Sequence, residues 1–128
     1  MVKILLIEDD LDDVELLEDT LNGNGLLHSL DVINDGHDAI QYIHNCKNYP
    51  DLIILDFNLP KVHGRDILMV IKSLNQFKNV PILILTTSSA KEDMDYAYKN
   101  GASRFLIKPT NTSEIKNIYT VITDLLKK

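Results

Sequence analysis

Short unbroken apolar runs alternate with segments of helical period along this chain. Lys3–Ile7 (KILLI) reads as a strand buried on both faces. The next segment places Val14, Leu17 and Leu21 on one helical face and ends near Gly23 and Gly25. Ser29–Asn34 (SLDVIN) alternates more strongly and reads as a strand nearer the sheet edge. Asp35 is placed to cap a helix carrying Ala39, Ile40 and Ile43. Leu52–Leu55 (LIIL) is a third strand, and a helix after Gly64 carries Ile67, Leu68, Ile71 and Leu74. Val80–Leu85 (VPILIL) is a fourth strand, with Pro81 near its start, where a missing N–H is tolerated. Lys91–Asn100 forms a weaker helix stopped at Gly101, and Arg104–Ile107 (RFLI) is the fifth strand. Ile115, Ile118, Tyr119, Ile122 and Leu126 mark the last helix at 3-4-3-4 spacing.

Five strands alternating with five helices predict an α/β domain: a five-stranded parallel sheet covered on both faces, with right-handed crossovers. In such sheets ligands bind beyond the carboxyl ends of the strands. Those ends carry Glu8-Asp9-Asp10, Asp56, Thr86-Thr87-Ser88-Ser89 and Lys108-Pro109. The second strand ends at Asn34-Asp35, which is capping chemistry alone.

Composition narrows the classes without choosing one. At 128 residues the chain is a single domain, 1–128, with one hydrophobic core. It is 45% hydrophobic and 25% charged, too apolar to be disordered. A net charge of −6 argues against a nucleic-acid partner, whose phosphates demand Lys and Arg. No apolar run approaches the roughly 20 residues of a membrane helix, and no signal peptide is apparent at Met1-Val2-Lys3. The single cysteine, Cys46, fits a reducing, cytoplasmic compartment. His28, His37, His44 and His63 are spread over four segments with no paired ligand spacing.

The strand ends hold the chemistry. If the first and third strands are neighbours, Glu8, Asp9 and Asp56 converge. Crowded carboxylates then either take up protons or hold a cation. An all-oxygen set suits Mg²⁺ or Mn²⁺. A solvated helix entrance, with Asp10 or Asp12 as cap, is the competing reading. Lys108 at the end of a strand would pair with Asp56 or hold a phosphoryl group as a point charge. Thr87 would bond backbone or donate to that same group. Carboxylate, metal, hydroxyl and lysine together are the parts of phosphoryl transfer to an aspartate.

The segments LLIEDD, LIILDFNLPKVHGRD, LTTSSAKED and GASRFLIKP stand in the order and spacing of a known family. Over its whole length the chain resembles the receiver domain of two-component response regulators. It further resembles the single-domain receivers that partner phytochrome-type sensor kinases. The resemblance implies a doubly wound, flavodoxin-like (βα)5 fold with strand order 2-1-3-4-5. It implies Asp56 as phosphoacceptor, and Mg²⁺, replaceable by Mn²⁺, on Glu8, Asp9, Asp56 and the backbone carbonyl of Asn58. Thr87 and Lys108 are the implied phosphoryl-binding pair and Phe105 the switch aromatic. Lys108–Pro109 is implied to be a cis peptide. Glu8 stands where many members have Asp, and Phe105 where many have Tyr.

The implied function is a phosphorylation-dependent switch rather than a turnover enzyme. A sensor histidine kinase or phosphotransfer protein would supply the phosphoryl group. With no effector domain after the last helix, output would pass by protein contact, a homodimer through the face of the fourth helix, fifth strand and fifth helix, or relay. Tyr98, Lys99, Arg104 and Tyr119 are the contact candidates on that face. The main alternative is a receiver-fold binding module regulated without phosphorylation. An FMN protein would need a phosphate loop where Glu8-Asp9-Asp10 stands. A dehalogenase-type phosphatase would need a second Asp where Asn58 stands, and a P-loop GTPase lacks its Gly-x-x-x-x-Gly-Lys.

Overall fold

A computed structural model describes residues 1–60 and 62–127; Lys61, inside the NLPKVHGRD stretch, and Lys128 lie outside it. The elements run β1 (Val2–Ile7), α1 (Leu11–Gly23), β2 (His28–Ile33), α2 (Gly36–Asn45), β3 (Leu52–Leu55) and α3 (Gly64–Ser73). A 3₁₀ turn (Asn75–Phe77) leads to β4 (Ile82–Thr86), α4 (Lys91–Lys99), β5 (Arg104–Ile107) and α5 (Thr112–Leu126). All strands are parallel, in the order β2-β1-β3-β4-β5. The predicted doubly wound sheet, with order 2-1-3-4-5, is the one formed.

Two cores flank the sheet because successive strand side chains point to opposite faces. Leu5, Ile7, Ile53, Leu55, Ile82, Ile84 and Phe105 meet α2, α3 and α4 through Ala39, Ile43, Ile67, Leu68, Ile71 and Ala97. Ile4, Leu6, Leu52, Ile54, Leu83 and Leu85 meet α1 and α5 through Leu17, Leu21, Ile118, Val121 and Ile122. β3 and β4 are buried throughout, whereas β2 at the sheet edge is only partly covered. That burial is why the central strands read as continuous apolar runs and the edge strand alternates.

Local chemistry sets the helix starts. Asp10, not Asp12, caps α1: its Oδ1 accepts from Asp12 N at 2.9 Å and Asp13 N at 3.4 Å. Asp35 caps α2 through Asp38 N at 2.8 Å, as expected. His63 caps α3 with its ring, Nδ1 accepting from Arg65 N at 3.0 Å.

The differences from the sequence reading are small. β2 begins one residue earlier and ends one earlier, and β4 runs from Ile82 to Thr86 rather than from Val80 to Leu85. The backbone near Pro81 still joins the sheet edge-on, its carbonyl accepting from Ile53 N at 3.0 Å. The 3₁₀ turn was not foreseen; it is held by Phe77, which is buried against the edge of Tyr49. One expectation is corrected: Lys108–Pro109 is trans, the ordinary isomer, favoured over cis by about 0.5–1 kcal/mol for a proline.

Candidate functional site

The carboxyl ends of β1, β3, β4 and β5 form one mouth. β1 and β3 are neighbours in register, Ile7 opposite Leu55, so the residues that follow them emerge side by side. Glu8, Asp9 and Asp56 each present a carboxylate oxygen, and these oxygens all lie within 4.8 Å of one another. Glu8 and Asp56 are each 3% exposed, whereas Asp9 faces solvent. Strand pairing fixes their backbones: Asp56 N donates to Ile7 O at 3.1 Å, and Glu8 N to Ile33 O at 3.0 Å.

Lys108 supplies the balancing charge. Its backbone N–H donates to Thr86 O at 2.8 Å, and its ammonium donates to Asp13 Oδ2 at 2.7 Å, Glu8 Oε1 at 2.8 Å and Asp56 Oδ2 at 3.0 Å. Burial works against the Lys108 charge, but the bonds to Asp13, Glu8 and Asp56 outweigh it and raise its pKa, so it stays cationic. Burial pushes the Glu8 carboxyl up to about 7; the nearby Asp56 charge adds to the rise while the Lys108 bond opposes it. The two partners are thus pulled in one direction for different reasons. Desolvation dominates at Glu8, and charge-assisted bonding dominates at Lys108.

The β3–α3 loop shapes the far wall. Asn58 N donates to Asp56 Oδ1 at 3.0 Å, which orients the Asp56 carboxylate. Gly64 N donates to Phe57 O at 3.0 Å, and a Cβ at Gly64 would lie 2.5 Å from Asp56 O and from Phe57 Cα. Only glycine lets α3 start this close to the strand end. The loop therefore depends on a contact that a glycine in a sequence can suggest but not locate.

The fourth wall brings a residue the sequence reading passed over. Asn58 Nδ2 donates to Thr87 Oγ1 at 3.0 Å and to Thr86 Oγ1 at 3.3 Å. Thr87 is exposed; Thr86 is fully buried as the last residue of β4. Register pairs Ile84 with Phe105, and strand alternation puts Thr86 on the same sheet face as Ile84. So Thr86, not Thr87, shares the face of Phe105. Counting alternate positions from the apolar pair Ile82 and Ile84 would have reached it. Asp13 was missed as well, because it lies a helical turn beyond the acids at the end of β1.

Phe105 is buried, its ring edge-on to Phe57 with centroids 6.0 Å apart. Its N–H donates to Tyr98 Oη at 3.0 Å, which ties the strand to α4. Tyr98, Lys99 and Arg104 are exposed and Tyr119 is half-buried. Among the described residues no buried side-chain N or O atom lacks a partner, so the site is satisfied as it stands. Of the predicted site residues, Glu8, Asp9, Asp56, Asn58, Thr87 and Lys108 converge on the mouth, while Phe105 sits behind it. None of the four histidines joins the acid cluster.

A doubly wound parallel sheet with acids, hydroxyls and a lysine at its carboxyl ends defines a receiver, a phosphoacceptor module. The chain belongs to the response regulator receiver domain family, whose pattern it matches over residues 4–120. It is therefore a response regulator of two-component signal transduction. Among its relatives is response regulator Rcp1 of Synechocystis sp., 33% identical over 117 residues that cover 88% of this chain and 80% of Rcp1. The crystal structure of the Mn²⁺-bound form of Rcp1 superposes with a TM-score of 0.89 at 30% identity, covering 100% of this chain and 96% of that one. The phosphorylated cyanobacterial phytochrome response regulator RcpA superposes at 0.86 with 32% identity, covering 98% and 93%. No helix among the described residues is long and apolar enough to cross a membrane.

Proposed function

We propose that Asp56 is the phosphoacceptor, served by Lys108 and by a Mg²⁺ site built from Glu8, Asp9, Asp56 and the backbone carbonyl of Asn58. The observation that carries this is the convergence of three carboxylates on one short span, with the Lys108 ammonium 3.0 Å from Asp56. All donors of the set are hard oxygens, which suits Mg²⁺, or Mn²⁺ in its place. The Mn²⁺-bound relative supports that reading. When bound, the cation neutralises the acceptor and phosphoryl oxygens during transfer.

A sensor histidine kinase or phosphotransfer protein presents its phosphohistidine to the open mouth. An Asp56 oxygen attacks phosphorus in line, the P–N bond breaks, and its electron pair returns to the imidazole, which takes up a proton. The Asn58 N–H holds the other Asp56 oxygen and so sets the line of attack. Lys108 exchanges its bond to Asp56 for one to a phosphoryl oxygen. A threonine hydroxyl at the end of β4, held by Asn58 before transfer, donates to a second oxygen. Thr86 takes this role more readily than Thr87, because its movement is felt on the face of Phe105. The rearrangement reaches the α4–β5–α5 face, where Tyr98, Lys99, Arg104 and Tyr119 meet a protein partner or a second copy. The setting is the cytoplasm, where such kinases present their phosphoryl groups.

The test is an intact-mass measurement after incubation with Mg²⁺ and acetyl phosphate. A Mg²⁺-dependent gain of one phosphoryl group, absent in Asp56→Asn, is expected. A wild-type protein that takes none under forcing conditions would favour the binding-module alternative.

A further inference from the structure

Asp13 belongs neither to the acid cluster nor to the implied metal set, yet it makes the shortest of the three bonds to the Lys108 ammonium, 2.7 Å. A lysine ammonium has three N–H donors on a flexible four-carbon stem. Here each donor meets one carboxylate: Glu8, Asp13 and Asp56. Two of those partners change during the reaction. On that reading Asp56 becomes an acyl phosphate, and Glu8 would help hold the cation. Asp13 does neither.

We propose that Asp13 is a positioning residue for phosphoryl transfer, the constant anchor that keeps the Lys108 ammonium aimed at the acceptor while its other two bonds exchange. The inference rests on the reading of Asp56 as acceptor. Lys108 is then held at both ends. Its backbone N–H is tied to the end of β4 through Thr86 O, and its ammonium is tied to the first turn of α1. The Asp10 cap places that turn by accepting from Asp13 N itself. Negative charge is also favourable at this helix end, so Asp13 costs the helix nothing. Asp13 is about one-third exposed, so its carboxylate reaches Lys108 from the solvent side without taking a place among the buried acids. Without it, an ammonium freed from Asp56 has lost the one fixed partner on the α1 side.

Two measurements test this. The first is the rate of phosphorylation by acetyl phosphate for Asp13→Ala and Asp13→Asn, each alone and in a Lys108→Met background. The second is the Lys108 Nζ–H₃ correlation in ¹⁵N NMR at low temperature, which needs no phosphorylation. Asp13→Ala should slow the reaction about tenfold and broaden the Nζ signal. Asp13→Asn, which keeps an acceptor oxygen, should recover part of both. In the Lys108→Met background Asp13→Ala should change nothing further. A wild-type rate with an ordered Nζ signal in Asp13→Ala overturns the proposal, as does an equal loss in both backgrounds. Asp56→Asn is run in parallel. If it still gains a phosphoryl group, the acceptor reading has failed, and the Nζ signal alone decides whether Asp13 anchors Lys108.

Discussion

Arg65 of α3 and Asp93 of α4 are joined by a forked ion pair, the Arg65 Nε reaching Asp93 Oδ1 at 3.0 Å and a second guanidinium nitrogen binding the same oxygen. The other Asp93 oxygen accepts from Ser88 Oγ at 2.5 Å, and the guanidinium lies 4.9 Å above the Tyr96 ring. The loop between β4 and α4, which follows Thr86 and Thr87, is thus fastened to α3. The Ser88 bond, followed by the Arg65 bond, holds the Asp93 carboxyl below the usual carboxylate range. A lowered folded pKa means stability that is present above the ordinary value of 3.8 and lost as pH falls below it through the folded value. Wild type should therefore lose stability in that acid window, and Asp93→Asn should lack that component. Urea unfolding at pH 7 and pH 3 for both proteins measures it. Equal pH dependence would count against the bond network.

Gly64→Ala should cost about 1–3 kcal/mol, the usual range for forcing atoms into a packed site. The new Cβ would stand 2.5 Å from Asp56 O and from Phe57 Cα, so the strand end itself must shift. Slower phosphorylation should accompany a lowered Tm. Full activity with full stability would show that the loop can move aside freely.

Phe105→Ala should destabilise the fold by about 3–5 kcal/mol, because it empties a buried ring site beside Phe57. Chemical denaturation reads the loss. Phe105→Leu, which refills part of the volume, should recover much of it while removing the edge-on contact with Phe57.

The two threonines can be separated. In Thr86→Val, which keeps the buried volume but removes the hydroxyl, the Phe105 amide resonance should no longer shift on phosphorylation. In Thr87→Ala the shift should persist. The reverse pattern would return the switch role to the exposed hydroxyl.

Asp9→Ala should weaken Mg²⁺ binding by at least tenfold in calorimetric titration, because it removes the solvent-facing carboxylate of the set. An unchanged affinity would move the metal away from these acids.

Much of this protein was legible along the chain. Five apolar runs and their helical partners implied the doubly wound sheet, because a parallel strand buried on both faces has no polar face to show. The acids, lysine and hydroxyls at the strand ends were legible for the same reason: each follows an apolar run directly, and the fold gathers such residues at one edge. Capping by Asp35 was readable because it is local, decided within three residues, and the α1 cap was narrowed to Asp10 or Asp12.

What tertiary structure decided was everything that depends on two segments distant in sequence. Asp13 reads as one acid among several in α1 until β5 brings Lys108 to it across 95 residues. Alternation sets Thr86 on the face of Ile82 and Ile84, but only register with β5 makes that the face of Phe105. Arg65 and Asp93 are ordinary helix-surface charges until α3 and α4 pack side by side. Composition and period determine which faces are buried, because hydrophobic burial depends on residue type. Which charged groups meet depends on register and helix placement, and only the assembled sheet sets those.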